Sequence, residues 1–291
     1  MRINTNVNSL NAIESGTNNN MSLNNSLEKL SSGLRINKAS DDASGLAIAD
    51  KLRTQKNSIG QSISNANSAV TMIQIGDKAM GEQSNILDIV KTKLIQASTA
   101  TTSDEGRKAL SKDINKLLIQ LDSIASQTNY NGMSLLQKSE TDNNVSTALI
   151  FQVGEKGTNT ITTTGTIQSN TTGLGTAGLY PLSSLKTDTG GDGSSLTVNY
   201  SKAYLATVDT SITDLNAFRS NLGSTQNQIE SATRNMMTQV TNIAAAESVI
   251  RDVDYASESA NFNKFTVIAN ASTYAETQAN SRPNDVLKLL N

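Results

Sequence analysis

The side chains best suited to chemistry are two groups of acids, one near each end of the chain. Asp41 and Asp42 are adjacent, and Arg251 is followed by Asp252 and Asp254. Paired carboxylates serve as metal ligands or as general acids and bases, but a metal site also needs further ligands at a suitable spacing. We interpret Asp41 and Asp42 as acids of a first helical turn, and the second group as a charged joint between helices.

Catalytic motifs are weak or missing in the rest of the chain. Gly154-x-x-Gly157 lacks the lysine and the strand-to-helix context of a phosphate-binding loop, so it predicts a turn. The chain contains no histidine and no cysteine, which removes the commonest general base, the commonest metal ligand and the motif of a zinc protease. We therefore expect no enzyme, no catalytic residue, no metal and no cofactor.

Composition limits the architecture and the class of partner. The 291 residues allow one or two domains, but aromatic residues make up only 3% and tryptophan is absent, so a wide globular core is hard to fill. The net charge of −2 favours neither nucleic acid nor an anionic membrane. The first nine residues do not resemble a Sec signal peptide, and no run approaches the roughly 20 apolar residues of a membrane span. The default expectation is a cytoplasmic protein, unless a dedicated export machine reads another feature.

Apolar residues recur at steps of three and four over long distances, which indicates helices packed along a seam. Ser40 is the expected N-cap of a helix from Asp41 to about Ala97, roughly 85 Å long at 1.5 Å per residue. The pattern Thr102-x-x-Glu105 predicts the capping box of a second helix, which stops at the turn 130–132. A third long helix follows, and a last one is expected over about 257–280, before Pro283. The expected core positions of this rod are Leu52, Ile59, Ile63, Val70, Ile73, Met80, Leu87, Leu110, Ile114, Leu117, Leu121, Ile212, Leu215, Leu222, Ile229, Met236 and Ile243.

Between the helices, residues 138–203 are rich in Thr, Gly, Ser and Asn. Residues 148–153 and the β-branched run 158–164 predict a small antiparallel hairpin across residues 154–157. Residues 184–195 are expected to be the most flexible loop. The fold class is therefore mainly α: long antiparallel helices forming a rod-like coiled-coil bundle, with a small β-hairpin region in the middle.

The two terminal helices are predicted to be weak. Residues 5–26 contain many asparagines, which are poor helix formers, and the apolar stripe is thin. We expect both terminal segments to fray in a free monomer and to become helical when they pack against partners. The positions expected to pack are Val7, Leu10, Ile13, Leu23, Leu27, Leu30, Leu34, Phe262, Phe265, Ile268, Ala275, Val286, Leu287 and Leu290.

Several strings of this sequence resemble bacterial flagellins. The longest is residues 27–49, Leu-Glu-Lys-Leu-Ser-Ser-Gly-Leu-Arg-Ile-Asn-Lys-Ala-Ser-Asp-Asp-Ala-Ser-Gly-Leu-Ala-Ile-Ala, which resembles the hallmark of the family's N-terminal region. The others are Ile3-Asn-Thr-Asn-Val7 with Ser9-Leu10, Gln127-Thr-Asn-Tyr-Asn-Gly132, Phe151-Gln-Val-Gly154, Ile250-Arg-Asp-Val-Asp-Tyr-Ala256, Glu258-Ser-Ala-Asn261, Gln278-Ala-Asn280 and Pro283-x-x-Val286-Leu-x-Leu-Leu290.

The resemblance implies a secreted subunit of the extracellular flagellar filament, a helical homopolymer that serves motility. It implies that residues 1–40 and 251–291 form an inner coiled-coil tube. Residues 41–137 and 204–250 would then form the surrounding rod layer, with 138–203 as the hairpin and loop region and no large outer domains. Implied partners are a flagellar export chaperone on the C-terminal segment, the filament cap and the hook-junction proteins, with unfolded export through the type III apparatus. The alternative is a hook–filament junction protein, a relative with the same terminal pattern.

Two departures from the family pattern stand out. Glu276 and Thr277 replace the Leu-Ala that flagellins usually carry near the C-terminus, which brings a carboxylate into or near the inner layer. On the long helix, Ile89, Thr92 and Lys93 replace the Arg, Glu and Leu of the patch that the vertebrate Toll-like receptor for flagellin senses. Asp113 keeps the acid of that patch. We therefore expect weak or absent recognition by this receptor.

Overall fold

The structure is a computed structural model that describes residues 6–139, 141–144, 146, 148–163, 165, 167–176, 180–191 and 196–290, with the backbone alone for 283–290. The described residues form six helices and two small antiparallel hairpins, which confirms the mainly α class. In chain order the elements are α1 (Val7–Ser32), α2 (Ala43–Ala97), α3 (Asp104–Gln127), β1 (Asn129–Tyr130), β2 (Met133–Ser134), β3 (Ile150–Gln152), β4 (Thr160–Thr162), α4 (Leu182–Gly190), α5 (Val198–Arg251) and α6 (Tyr255–Leu290).

The chain divides into two compact units. The first, called the terminal unit below, comprises Met1–Asn57 and Gln239–Asn291; the second, the middle unit, is Ser58–Thr238. Among the described helices, none is both long and apolar enough to cross a membrane.

The starts of the two helices that follow α1 differ slightly from the sequence prediction. Helix α2 begins at Ala43, and its cap is Asp42, whose Oδ1 accepts a hydrogen bond from the Gly45 N–H at 2.9 Å. The prediction of Ser40 as the cap was wrong because three adjacent residues, Ser40 to Asp42, all have side chains suited to capping.

Helix α3 shows a similar shift of one residue. Its N-cap is Ser103, whose Oγ accepts a hydrogen bond from the Gly106 N–H at 3.2 Å. Thr102 does not form the predicted capping box, since its hydroxyl donates to the Gln96 carbonyl at 2.7 Å. The N-cap of α3 is thus Ser103, one position after the predicted Thr102.

The middle region contains the predicted hairpin and an additional helix. Strands β3 and β4 pair antiparallel with Phe151 opposite Ile161. Helix α4 occupies Leu182–Gly190, where a flexible loop was expected from residue 184, because Leu182 and Leu185 are three residues apart and both are buried. Residues 192–195 of that expected loop lie outside the described residues.

Buried positions in the part of α2 that belongs to the middle unit alternate by three and four residues, the spacing of a coiled-coil seam. They include small and polar residues as well as large apolar ones. The seam is formed by Ile59, Ser62, Ala66, Ala69, Ile73, Gly76, Met80, Gln83, Leu87, Val90, Leu94 and Ala97.

The expected core residues are therefore not equally buried. The buried ones are Ile59, Ile73, Met80, Leu87, Ile114, Leu121, Leu215, Leu222, Ile229 and Met236. The half-buried ones are Leu52, Ile63, Val70, Leu110, Leu117, Ile212 and Ile243. At several of these the seam passes through the adjacent residue instead, as at Ser62, Ser111 and Ser211. Leu52 and Ile243 belong to the terminal unit.

Candidate assembly surface

Helices α1 and α6 form an antiparallel pair within the terminal unit, and the seam between them combines small residues with leucine, phenylalanine and polar side chains. On α1 the residues shielded from solvent follow steps of three and four: Ser9, Ala12, Gly16, Asn19, Leu23, Ser26 and Leu30. The matching positions on α6 are Glu258, Phe262, Phe265, Ala269, Ser272, Glu276 and Ala279.

Direct contacts fix the register of this pair. A Cβ on Gly16 would lie 3.7 Å from the Cβ of Ser272, and the Asn19 amide donates to the Ser272 hydroxyl at 3.2 Å. The Ser26 hydroxyl donates to the Glu258 carboxylate and is buried. Small side chains allow the two helices to approach closely, and hydrogen bonds hold them there.

Large apolar side chains of α1 point away from this seam into solvent. Val7 is 58% exposed, Leu10 and Leu27 are similarly exposed, and Ile13 is only slightly more shielded. Leu23, Leu30 and Leu34, also predicted to pack, are half-buried. Apolar exposure on one side of a helix pair is typical of a surface that another molecule covers.

Helix α6 also exposes large apolar side chains, although its two phenylalanines lie on the seam. Phe262, Phe265 and Ile268 are half-buried and Ala275 is exposed. Tyr274 is 75% exposed and Val267 is 67% exposed, although neither was singled out from the sequence. The predicted positions Val286, Leu287 and Leu290 lie outside the residues whose side chains the structure describes.

The joint between α1 and α2 is bonded to the joint between α5 and α6. Leu34 and Asp252 form an isolated antiparallel bridge, in which the Arg35 N–H donates to the Arg251 carbonyl at 2.6 Å. The Val253 N–H donates to the Gly33 carbonyl at 3.0 Å. The two helix breaks are therefore bonded to each other by the backbone.

The acids of the two joints form local structural contacts. The Asp41 carboxylate accepts hydrogen bonds from the backbone N–H groups of Lys38 and Asn37, which hold the pKa of Asp41 below its usual value. Asp254 accepts the N–H groups of Ala256 and Ser257 at the start of α6. The contacts of Asp254 fit the interpretation of the second group as a charged joint between helices. The prediction that Asp41 and Asp42 lie in a first helical turn was wrong, because α2 begins at Ala43 and Asp42 is its cap.

Glu276, the unusual acid near the C-terminus, lies on the seam. It is half-buried, four residues after Ser272 and three before Ala279, both of which contact α1. The structure therefore places Glu276 at the α1–α6 contact.

The predicted receptor patch lies on α2 and α3 in the middle unit. Ile89 and Thr92 are exposed, and Lys93 is half-buried. The Lys93 ammonium lies 3.0 Å from the Asp113 carboxylate, so the one acid kept from the family's patch is ion-paired within the chain. Residue spacing does not predict this pair, because its two members lie on different helices.

Two sequence families match most of the chain. The bacterial flagellin N-terminal helical region matches residues 3–141, and the bacterial flagellin C-terminal helical region matches residues 205–290. Helices α1, α2 and α6 fall within these matches, and α5 does so from residue 205 onward.

Full-length relatives agree with this assignment. The chain is 33% identical to the flagellin of Bacillus subtilis over 303 aligned positions that cover both proteins completely. It is 34% identical to the flagellar filament 30.7 kDa core protein of Treponema maltophilum, again with complete coverage of both.

A third relative is more similar over a shorter stretch. Flagellin B of Helicobacter pylori strain J99 is 49% identical over 160 residues, which make up 55% of this chain and 30% of that longer protein. A solved structure of a putative flagellar hook-associated protein from Vibrio parahaemolyticus has a similar fold, with a TM-score of 0.51 at 15% identity, over 73% of this chain and 97% of that one. Because its terminal regions match the two flagellin families and it aligns over its full length with flagellins, the chain belongs to the bacterial flagellin family, the structural subunits of the extracellular flagellar filament.

Proposed function

We propose that this chain polymerises into the filament by covering the outward apolar residues of α1 and α6 with other copies of itself. The observation that carries this proposal is that large apolar side chains of the pair face solvent, while small residues take up many positions of its inner seam. The seam includes Ser9, Gly16 and Ser26, whereas Val7, Leu10 and Tyr274 face solvent. Such a pair buries little apolar surface until partners pack around it.

The energetics favour folding that is coupled to assembly. Burying one large apolar side chain contributes roughly 1.5–3 kcal/mol, while ordering one residue costs about 1–2 kcal/mol of backbone entropy. Helices as rich in asparagine as α1 are marginal by themselves. The terminal helices are therefore frayed in the free subunit and stabilised when copies pack against them.

The finer partners follow from family membership. We propose a type III export route with a chaperone on the C-terminal segment, and contacts with the filament cap and the hook-junction proteins at the filament ends. The role is structural and requires no catalysis. Recognition by the Toll-like receptor is weak, since Ile89 and Lys93 replace its arginine and leucine anchors and Lys93 pairs with Asp113.

Truncation tests the assembly mechanism. Deleting residues 1–30 or 260–291 removes one partner of the α1–α6 pair, so no filaments should form. The middle unit should stay helical, because its core lies within residues 58–238. Electron microscopy reports the filaments and circular dichroism reports the helices. Filaments formed by either truncated chain would contradict the proposal.

A second candidate is a hook–filament junction protein, which shares the terminal sequence pattern. The fold is also similar to that of a putative hook-associated protein. The number of copies distinguishes the two. A filament subunit labels the whole filament with a specific antibody in immunogold microscopy, whereas a junction protein labels one ring at its base.

A further inference from the structure

Helix α6 passes through a proline. The backbone is helical from Tyr255 to Leu290, and residue 283 is a proline. Proline has no N–H, so it cannot donate the i→i−4 bond that the Ala279 carbonyl would accept in a regular helix. The sequence therefore predicted that the helix ends before this residue, and the structure shows that it continues.

The Ala279 carbonyl accepts a hydrogen bond from another part of the chain. The side-chain Nδ2 of Asn6 donates to it at 2.8 Å, across 273 residues of sequence. Asn6 and Ala279 are both half-buried, at one end of the α1–α6 seam. A shielded carbonyl without a hydrogen-bond partner destabilises the fold. The bond from Asn6 therefore replaces the backbone N–H that Pro283 lacks.

The same side chain also begins α1. Asn6 is the N-cap, and its Oδ1 accepts a hydrogen bond from the Ser9 N–H at 3.2 Å. Serine or aspartate would also cap the helix, but serine is too short to reach the carbonyl and an ionised aspartate has no proton to donate. Asparagine carries an acceptor and a donor on one planar amide, which allows it to form both bonds.

We propose that Asn6 is a positioning residue that supplies the hydrogen bond Pro283 cannot make, so that α6 continues past residue 283 only when α1 is docked. The two ends of the chain would then become ordered together. This inference concerns the fold of the terminal unit and goes beyond the proposed filament function, although assembly provides its most sensitive measurement.

A double-mutant cycle tests the proposal. Asn6→Ser keeps the cap and removes the donor, and Pro283→Ala restores a backbone N–H for the Ala279 carbonyl. With Pro283 present, Asn6→Ser should raise the critical concentration for filament assembly about fivefold, the factor of one typical net hydrogen bond. In the Pro283→Ala background the factor should fall below about twofold.

A matched control uses another amide on the same seam. Asn19→Ser removes the bond from Asn19 to the Ser272 hydroxyl, which does not involve residue 283, so its effect should be the same in both backgrounds. Loss of filaments from Asn6→Ser only when Pro283 is present would also support the proposal. Equal factors in both backgrounds, loss of assembly in both, or loss of assembly from Pro283→Ala alone would overturn it.

Failure of the natural chain to polymerise would contradict the filament function alone. The same cycle would then be measured by hydrogen exchange of residues 280–290 in the unassembled chain, at a low temperature where the marginal α1–α6 pair is partly formed. Faster exchange caused by Asn6→Ser only with Pro283 present supports the proposal, and equal exchange in the two backgrounds overturns it.

Discussion

At the scale of single residues, Gly33 shows why one position in the joint accepts no side chain. It caps α1 in the left-handed region at φ 73°, where its N–H donates to the Lys29 carbonyl. A Cβ at this position would also lie 2.9 Å from the Tyr255 hydroxyl. The backbone conformation therefore requires glycine, and the Tyr255 hydroxyl, at the tip of an exposed side chain, would have to move to make room.

Gly33→Ala should destabilise the terminal unit by about 1–2 kcal/mol, seen as a lower melting temperature of assembled filaments by circular dichroism. Adding Tyr255→Phe removes the close contact but not the backbone strain, so it should recover only part of the loss. The control is Gly60→Ala in α2, where a Cβ meets nothing within 4 Å and about 0.5–1 kcal/mol of stabilisation is expected. Unchanged melting of Gly33→Ala would contradict the argument.

The receptor patch gives a second prediction at this scale. Truncating central anchors commonly costs about 2 kcal/mol or more, and Ile89 cannot donate the hydrogen bonds of an arginine. Lys93 adds a charge that must be desolvated when the receptor binds. It also forms an ion pair with Asp113, at 3.0 Å, within the chain. Purified monomer should therefore activate Toll-like receptor reporter cells poorly.

Ile89→Arg combined with Lys93→Leu should restore part of that signal, because it supplies both anchors and releases Asp113. Ile75→Arg with Lys78→Leu makes the same chemical change elsewhere on α2 and should restore none. Strong signalling by the natural monomer at nanomolar concentration would show that the substitutions do not weaken recognition.

At the scale of elements, the long helices were predictable because their apolar period persists for dozens of residues. Where either of two adjacent residues fitted the helical spacing, the larger apolar one was predicted to be buried in the seam. The structure often buries the smaller one, as with Ser62 beside Ile63 and Ser111 beside Leu110. Close helix packing needs small residues at regular intervals, and a search for large apolar residues does not detect them.

The attachment of α4 to α5 was not predictable from periodicity, because it depends on a polar contact. The Tyr204 ring is buried on α5, and its hydroxyl donates to the Asp188 carboxylate of α4 at 2.5 Å. Tyr180 packs edge-on against it, with ring centroids 5.6 Å apart. Burial raises the pKa of Tyr204 well above its ordinary value, and the hydrogen bond to Asp188 raises it further.

Alkaline pH should therefore weaken the middle unit. The folded pKa lies above the unfolded value of about 10, so the contribution of Tyr204 is complete below pH 10 and is lost as the pH rises further. Tyr204→Phe should lower the free energy of unfolding by about 1 kcal/mol at pH 7. Between about pH 10 and 11 the free energy of unfolding should fall less in this variant than in the natural chain. Urea unfolding followed by circular dichroism measures both. Tyr200→Phe, at an exposed ring, is the control and should change neither.

At the scale of the whole molecule, the terminal motifs identified the family, but the contacts between the two ends were not predictable. The continuation of α6 past Pro283 accompanies a bond from Asn6, which no local pattern near residue 283 indicates. The small residues of the α1–α6 seam were not predictable for a similar reason. Ser9 and Gly16 favour helix only weakly by themselves, and they become useful when α6 packs against them.

The outward apolar residues of α1 give the final prediction. Leu10 is 57% exposed and Ile13 is 45% exposed, while the seam to α6 uses other positions. Replacing both by glutamine keeps helix propensity but removes about 3 kcal/mol or more of apolar burial in the polymer, so the critical concentration for assembly should rise about 100-fold. Replacing both by methionine keeps an apolar surface and should change it less than about threefold. If the glutamine variant polymerised as readily as the methionine variant, the outward face of α1 would not be the surface that assembly buries.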